Sequence, residues 1–143
     1  MQAVNESNNQ VDELDVLLED MKGYLNKFET GCQELIVMFH GDDKAQSLEM
    51  LTQILEGLHY YQKLVKSAAV LLSIDLSESL YKETSILSLF DQLCQLFNCI
   101  FEAAENGDYS LLADIIEYDL IPAIGTSQEL LTVVQRRYEE RVI

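Results

Sequence analysis

Between Val11 and Phe39 the apolar positions keep a single rhythm. Val11, Leu14, Leu18, Met21, Leu25, Phe28, Cys32, Leu35 and Phe39 are separated by alternating steps of three and four residues. That spacing puts them on one side of an α-helix packed along its length against others. Leu17, Tyr24 and Met38 adjoin the seam and widen it. A wide stripe suits a globular bundle better than an isolated two-stranded coiled coil. The opposite side carries Asp12, Glu13, Glu19, Asp20, Asn26, Lys27, Gln33 and Glu34 and reads as solvated. Val16 and Val37 interrupt that polar back, where a second copy of the chain could use them.

Three further helices are expected. Leu51, Ile54, Leu58, Tyr61, Val65, Ala68 and Leu72 form the seam of a second, from about Asp43 to Ser73, with Leu48, Leu55 and Leu71 broadening it. Gly57 falls in its middle, at a propensity cost of about 1 kcal/mol relative to Ala, which a close helix contact would explain. A third is expected from about Leu76 to Asn106, started by Asp75 with Glu78 three residues on in a capping-box spacing. Its seam is Ile86, Leu89, Leu93, Leu96, Ile100 and Ala103. Phe90, Phe97 and Phe101 flank it and suggest the thickest part of the core, with an aromatic ligand pocket as the alternative. A fourth starts at Asp108 and is apolar almost all round at Leu111, Leu112, Ile115, Ile116, Leu120 and Ile121. Pro122 lacks an N–H and would crowd the carbonyl of Tyr118, so this helix must bend or stop. Thr126 and Glu129 have the spacing of a fresh capping box. The fourth helix is therefore either kinked or divided into 109–124 and 127–141, with Leu131, Val134 and Tyr138 returning its second half to the core. Arg136, Arg137 and Arg141 near its end oppose the negative end of the helix dipole.

Possible caps fall at a fixed interval. Asn9, Asp42, Asp75 and Asp108 lie 33 residues apart, and Gly41 and Gly107 precede two of them. The simplest architecture is four helices of roughly 30 residues, each ~45 Å long, joined by tight turns that make neighbours antiparallel. The fold class expected is all-α: an antiparallel up-down four-helix bundle with long helices, the fourth kinked or broken near Pro122. Residues 1–143 make one domain, with the polar stretch 1–8 expected to be flexible.

Composition narrows the partners. Nine basic against 25 acidic residues leave a net charge of −16. Such a surface repels phosphate backbones and anionic lipid, so neither nucleic acid nor membrane is an expected partner. A basic or helical segment of another protein is, and a homodimer remains open. No basic region followed by an apolar run opens the chain, and the longest apolar run, 68–72, is far below the ~20 residues a membrane span needs. Cys32, Cys94 and Cys99 lack metal-like spacing and read as reduced thiols, small core residues of a cytoplasmic protein.

Candidate chemistry is sparse. Glu56-Gly-Leu-His59 is one Glu-x-x-His, but a di-iron bundle needs two, and Val37 stands three residues before the other histidine, His40. No phosphate-binding glycine loop, dinucleotide fingerprint or nucleophile elbow occurs. No catalytic residue, cofactor or metal ligand is assigned. One local oddity is Asp119, on an otherwise apolar side of the fourth helix. It reads either as a surface carboxylate beside disturbed backbone or as a partly buried acid that marks a site. Asp114, Glu117, Tyr118 and Asp119 are the partner-binding candidates there.

The stretch Asn106-Gly-Asp-Tyr-Ser-Leu-Leu-Ala-Asp-Ile-Ile-Glu-Tyr-Asp-Leu-Ile-Pro122 resembles a segment of small, uncharacterised helical proteins of Gram-positive bacteria. The resemblance implies a bacterial cytoplasmic helical protein and carries over no catalytic residue. In size, acidity and helicity the chain is also similar to bacterial export chaperones such as those of the flagellar system. The function expected is that of a non-catalytic interaction module, adaptor or chaperone-like, that holds a helical or basic segment. A homo-oligomeric structural protein, or a bundle enzyme that binds a small ligand or metal, are the alternatives.

Overall fold

The three-and-four spacing forms the helices it predicts. In a computed structural model that describes residues 2–142, with side chains for 13–141, α1 spans Gln2–Met38 and α2 Lys44–Leu71. They are followed by α3, Ile86–Glu105, and by a composite fourth arm of α4, Tyr109–Ile115, a π-helical turn, Ile116–Leu120, and α5, Ile121–Val142. The bundle is all-α, with four helical arms.

Each arm packs on two neighbours around a square: α1 on α2 and on α5, α3 on α2 and on the fourth arm. Hydrogen bonds show the antiparallel sense. Gln128 donates to Asn26 and Glu29 of α1, and Gln135, further along α5, donates to the earlier Glu19. The seams fill the centre. Leu14, Leu18, Met21, Leu25, Cys32 and Leu35 of α1 are buried, as are Phe39 just after it and all the seam residues expected of the second and third helices. Phe28 is half-buried, and Val11 lies outside the described side chains. Tyr61, fully buried, satisfies its hydroxyl by donating 2.9 Å to the Ser127 carbonyl across the bundle. Burial raises its pKa.

The regular interval of caps does not mark equal helices. α1 is already helical at Gln2, so Asn9 lies inside it; the expected flexible stretch 1–8 falls outside the described side chains. α2 is capped by Asp43, whose side chain accepts from the Gln46 N–H 3.0 Å away, and not by Asp42. Asp108 does cap α4, after Gly107 in the left-handed region at φ 66°. Gly41 does not adopt that conformation.

Asp75 starts no helix. Its carboxylate accepts from the backbone and hydroxyl of Ser77, which holds it below the usual carboxylate range and closes a turn. Residues 72–85 form a connection with Tyr81 and Thr84 bridged and Ser73 and Lys82 at positive φ. Ser77, Ser79, Thr84 and Ser85 all have side chains that compete with the helical backbone. The winning cap is Ser85, in a reciprocal box with Ser88. Ile74 is buried beneath the connection, and Arg137 of α5 pairs with Glu78 at 2.6 Å.

The fourth arm is interrupted before Pro122, not after it. Ile121 donates to the Ile116 carbonyl, five residues back, and this wider turn relieves the crowding Pro122 would impose in a regular helix. The expected second cap is absent. Thr126 and Ser127 hydroxyls donate instead to the Pro122 and Ala123 carbonyls of their own helix, which continues through Gly125. Among the described residues no helix is long and apolar enough to cross a membrane.

Candidate functional site

Four places could carry function, and their geometry separates them. The acidic set expected from the sequence lies on the outer side of the π-turn and its approach. Asp114, Glu117, Tyr118 and Asp119 are all solvent-exposed, Tyr118 at 69%. Asp119 is thus a surface carboxylate, because the π-turn buries Ile116 and Leu120 and turns the intervening residues outward. The four make a strip of charge around one tyrosine, with no recess.

The half di-iron motif faces solvent: Glu56 and His59 are both exposed on α2. No group of three or more potential ligands that could hold a metal occurs among the described residues. Cys94 and Cys99 are exposed and free; Cys32 alone is a core thiol, its pKa pushed up to about 12 by burial and then by the Glu29 carboxylate. The three phenylalanines of α3 do not fill the core: Phe90 and Phe97 pack against its rim and Phe101 does not. Leu93, Leu96 and Ile100 take the centre, so Phe90 and Phe97 are left half-buried and Phe101 is 57% exposed. Phe97 and Phe101 wall a shallow groove of about 390 Å³ with Leu55, Thr52, Glu56 and His59 of α2.

The larger feature lies between α1 and α2. The floor is built from the buried residues Leu14, Met21 and Leu64, and its walls from Leu17, Tyr24, Tyr60 and Leu71. Two recesses of about 440 and 540 Å³ share Leu17 and Tyr60, whereas a third, with Val70, is lined by α2 residues alone. The first two form one trough, which among the described side chains runs from Glu13 to Phe28, about 22 Å at the helical rise.

Gly57 shapes the trough. A Cβ there would lie 2.1 Å from the Phe28 ring tip, so the glycine is what lets the ring lie on α2. Phe28 then stacks on Tyr24 at 6.5 Å. Leu17, Tyr24, Tyr60, Val70 and Leu71 remain 40–74% exposed. Such a set of large apolar side chains on one face differs from singly scattered ones. Val16 and Val37 are exposed too, but lie roughly 30 Å apart along α1 and share no patch.

Charge is not uniform along the trough. Asp20 and Glu56 line one end, with the Lys27 ammonium 5.7 Å from the Tyr24 ring centre. Lys63 and Glu13, of opposite sign, line the other. Sequence reasoning named Leu17, Tyr24 and Leu71 as extra width on their helices but assigned that width to core. Tyr60, beside the buried Tyr61, was missed. The available signal was that both helices carry more apolar positions than a shared seam can cover.

A family model described as a domain of unknown function (DUF8042) matches residues 16–130. The chain belongs to that family. The match takes in most of α1, all of α2 and α3, and the π-turn, and so the acidic strip and all of the trough except Glu13 and Leu14. No curated protein and no solved structure matches the chain.

Proposed function

We propose that this protein is a non-catalytic interaction module of the bacterial cytoplasm, an adaptor or chaperone-like bundle whose α1–α2 trough holds an apolar, basically charged helical segment of another protein. One observation carries the reading: a continuous trough about 22 Å long, walled by exposed Leu17, Tyr24, Tyr60 and Leu71 on rigid helices. Grooves between helices that accept an amphipathic helix use this combination of apolar floor and aromatic wall. Tyrosine is among the residues enriched at interfaces, because its ring is apolar and its hydroxyl remains wet.

The net charge of −16 favours a basic partner and opposes a second copy, which would bring an equal negative charge to the same surface. The acidic strip Asp114, Glu117, Tyr118 and Asp119 offers charge without a recess, and serves in this reading as peripheral steering for the same partner. Free thiols exposed at Cys94 and Cys99 fit a reducing compartment. The reading is tested by capture of partners from the cells that make the protein, with the wild type beside a Leu17→Asp/Tyr60→Asp variant, at low and high salt. A partner held by the wild type, weakened by salt and lost in the variant supports it. A partner held equally by both rejects the trough as the docking site.

A further inference from the structure

The groove on the other side of α2 has a chemistry of its own. Leu55 floors it, Phe97 and Phe101 of α3 wall one side, and Thr52, Glu56 and His59 of α2 wall the other. The two phenylalanines stand four residues apart on α3 and so share one face of it. Phe101 is 57% exposed, and Glu56 places a carboxylate at the rim. Among the described residues that line this groove, none is lysine or arginine; Lys63, the next lysine along α2, lines the α1–α2 trough. Exposed Glu49 and Glu105, about a turn beyond Thr52 and Phe101, add charge of the same sign as Glu56. A volume of about 390 Å³ is small for a docked helix and ample for one long side chain.

These features select a cation with a flat, weakly hydrated head. The face of an aromatic ring is electron-rich and attracts a cation placed over it. A carboxylate accepts two parallel N–H bonds from a guanidinium, whose plane also stacks on rings; an ammonium offers neither the fork nor the plane, and holds its water more strongly. We infer that the groove between α2 and α3 takes an arginine side chain of the protein partner, with its guanidinium over the Phe97 and Phe101 rings and paired with Glu56. This rests on the reading of the chain as a partner-binding module and adds a chemical requirement to it. Glu56 joins the two surfaces, because the same side chain lines the Tyr24–Tyr60 recess of the trough and the phenylalanine groove. A segment lying in the trough is thus separated from the arginine site by the crest of α2 alone. The net charge of −16 draws such a basic segment in, and the rings decide which cation stays.

Three capped tripeptides, acetyl-Gly-X-Gly-amide with X arginine, lysine or citrulline, test this by NMR titration of the isotope-labelled full chain at low salt and pH 8, where an ordinary imidazole is uncharged. The arginine peptide is expected to shift the ring resonances of Phe97 and Phe101 and the amide of Glu56. It should bind about three- to fivefold tighter than the lysine peptide, and citrulline, of the same shape without the charge, should leave those resonances in place. Two variants at exposed positions divide the contact. Phe101→Leu keeps apolar bulk and removes the ring face, and Glu56→Gln keeps size and removes the charge. Each should weaken arginine binding by about threefold or more while the urea midpoint stays put. Equal binding of arginine and lysine, or shifts spread over the acidic surface without Phe97 and Phe101, overturns the inference, because net charge alone accounts for either. Citrulline binding as tightly as arginine overturns it as well, and so does the absence of any shift at the two rings. The trough is read separately, by the Leu17→Asp/Tyr60→Asp capture, so the arginine site can fail while the docking reading stands, and the reverse.

Discussion

Replacing Gly57 by alanine isolates the contact that shapes the α1–α2 trough. In an ordinary helix interior the change stabilises by about 1 kcal/mol, because alanine removes the backbone entropy that glycine loses on folding. Here the new methyl would stand 2.1, 2.7 and 2.9 Å from three atoms of the Phe28 ring. Either the ring leaves or the helices separate, and overpacking of this kind costs about 1–3 kcal/mol. The two effects oppose each other, so Gly57→Ala is expected to be neutral to destabilising by about 2 kcal/mol. Phe28 is half-buried, and its outward swing would break the stack on Tyr24. The assay is urea unfolding followed by far-UV circular dichroism, with slope and midpoint both fitted. A second variant keeps the test independent of the propensity scale: in a Phe28→Leu background the obstructing ring is gone, and Gly57→Ala should recover most of its intrinsic gain. The coupling between the two changes should therefore be at least about 1 kcal/mol. Stabilisation by the full ~1 kcal/mol in the presence of Phe28, with no coupling, would refute the close contact and the shape of the trough derived from it.

Other substitutions probe different parts of the account. Tyr61→Phe removes the buried hydroxyl that donates to Ser127 and should lower stability by about 1 kcal/mol in the same assay. Cys32 has its pKa raised from 9.0 to about 12 in the folded chain, so its contribution is complete below pH 9 and is lost as pH rises through about 12. Urea midpoints should therefore fall above pH 9, and the fall between pH 9 and 10, where the raised pKa of buried Tyr61 contributes less than that of Cys32, should be smaller in Cys32→Ala; an identical slope would contradict this. Asp119→Asn, at an exposed carboxylate, should leave the urea midpoint within about 0.5 kcal/mol of the wild type and weaken partner binding; unchanged affinity would remove the acidic strip from the interface. Lysine at both Val16 and Val37 should leave the mass by light scattering unchanged, because the two valines share no surface; a lower mass would show that the back of α1 builds an oligomer.

The seams were legible in the sequence because one physical rule governs them. Residues spaced by three and four that face a common core must be apolar, and from Leu14 to Phe39 every described position of that set except Phe28 is buried. The start of α3 was not legible. Asp75 and Ser85 both offer a cap with a partner three residues on, and only the intervening serines and threonine, which favour turns, decide between them. Pro122 announced a disturbance, but not that a single wide turn at Ile116–Leu120 would absorb it and let the helix run on through Thr126.

The candidate site was legible only in part, for a related reason. Periodicity tells which residues are apolar and which share a face; it does not tell where the neighbouring helix stops covering that face. Leu17, Tyr24 and Leu71 on the sequence look like additional core, as do Phe97 and Phe101. Leu17, Tyr24, Leu71 and Phe101 stay exposed, and Phe97 half-buried, because adjacent helices touch along the inner seams and diverge outside them. Acidic residues at the bend drew attention through local oddity, although Asp119 proved to be an ordinary surface group.

The trough as the docking surface is tested most directly by site-specific photo-crosslinking in the cells that make the protein, with a benzophenone amino acid placed at Tyr60 in one variant and at Tyr118 in another. Both positions are exposed, at 47% and 69%, so each accepts the probe without disturbing the core. The account predicts a discrete protein adduct from position 60, mapped by mass spectrometry to an apolar, basic helical segment. An adduct from position 118 with none from position 60 would contradict it.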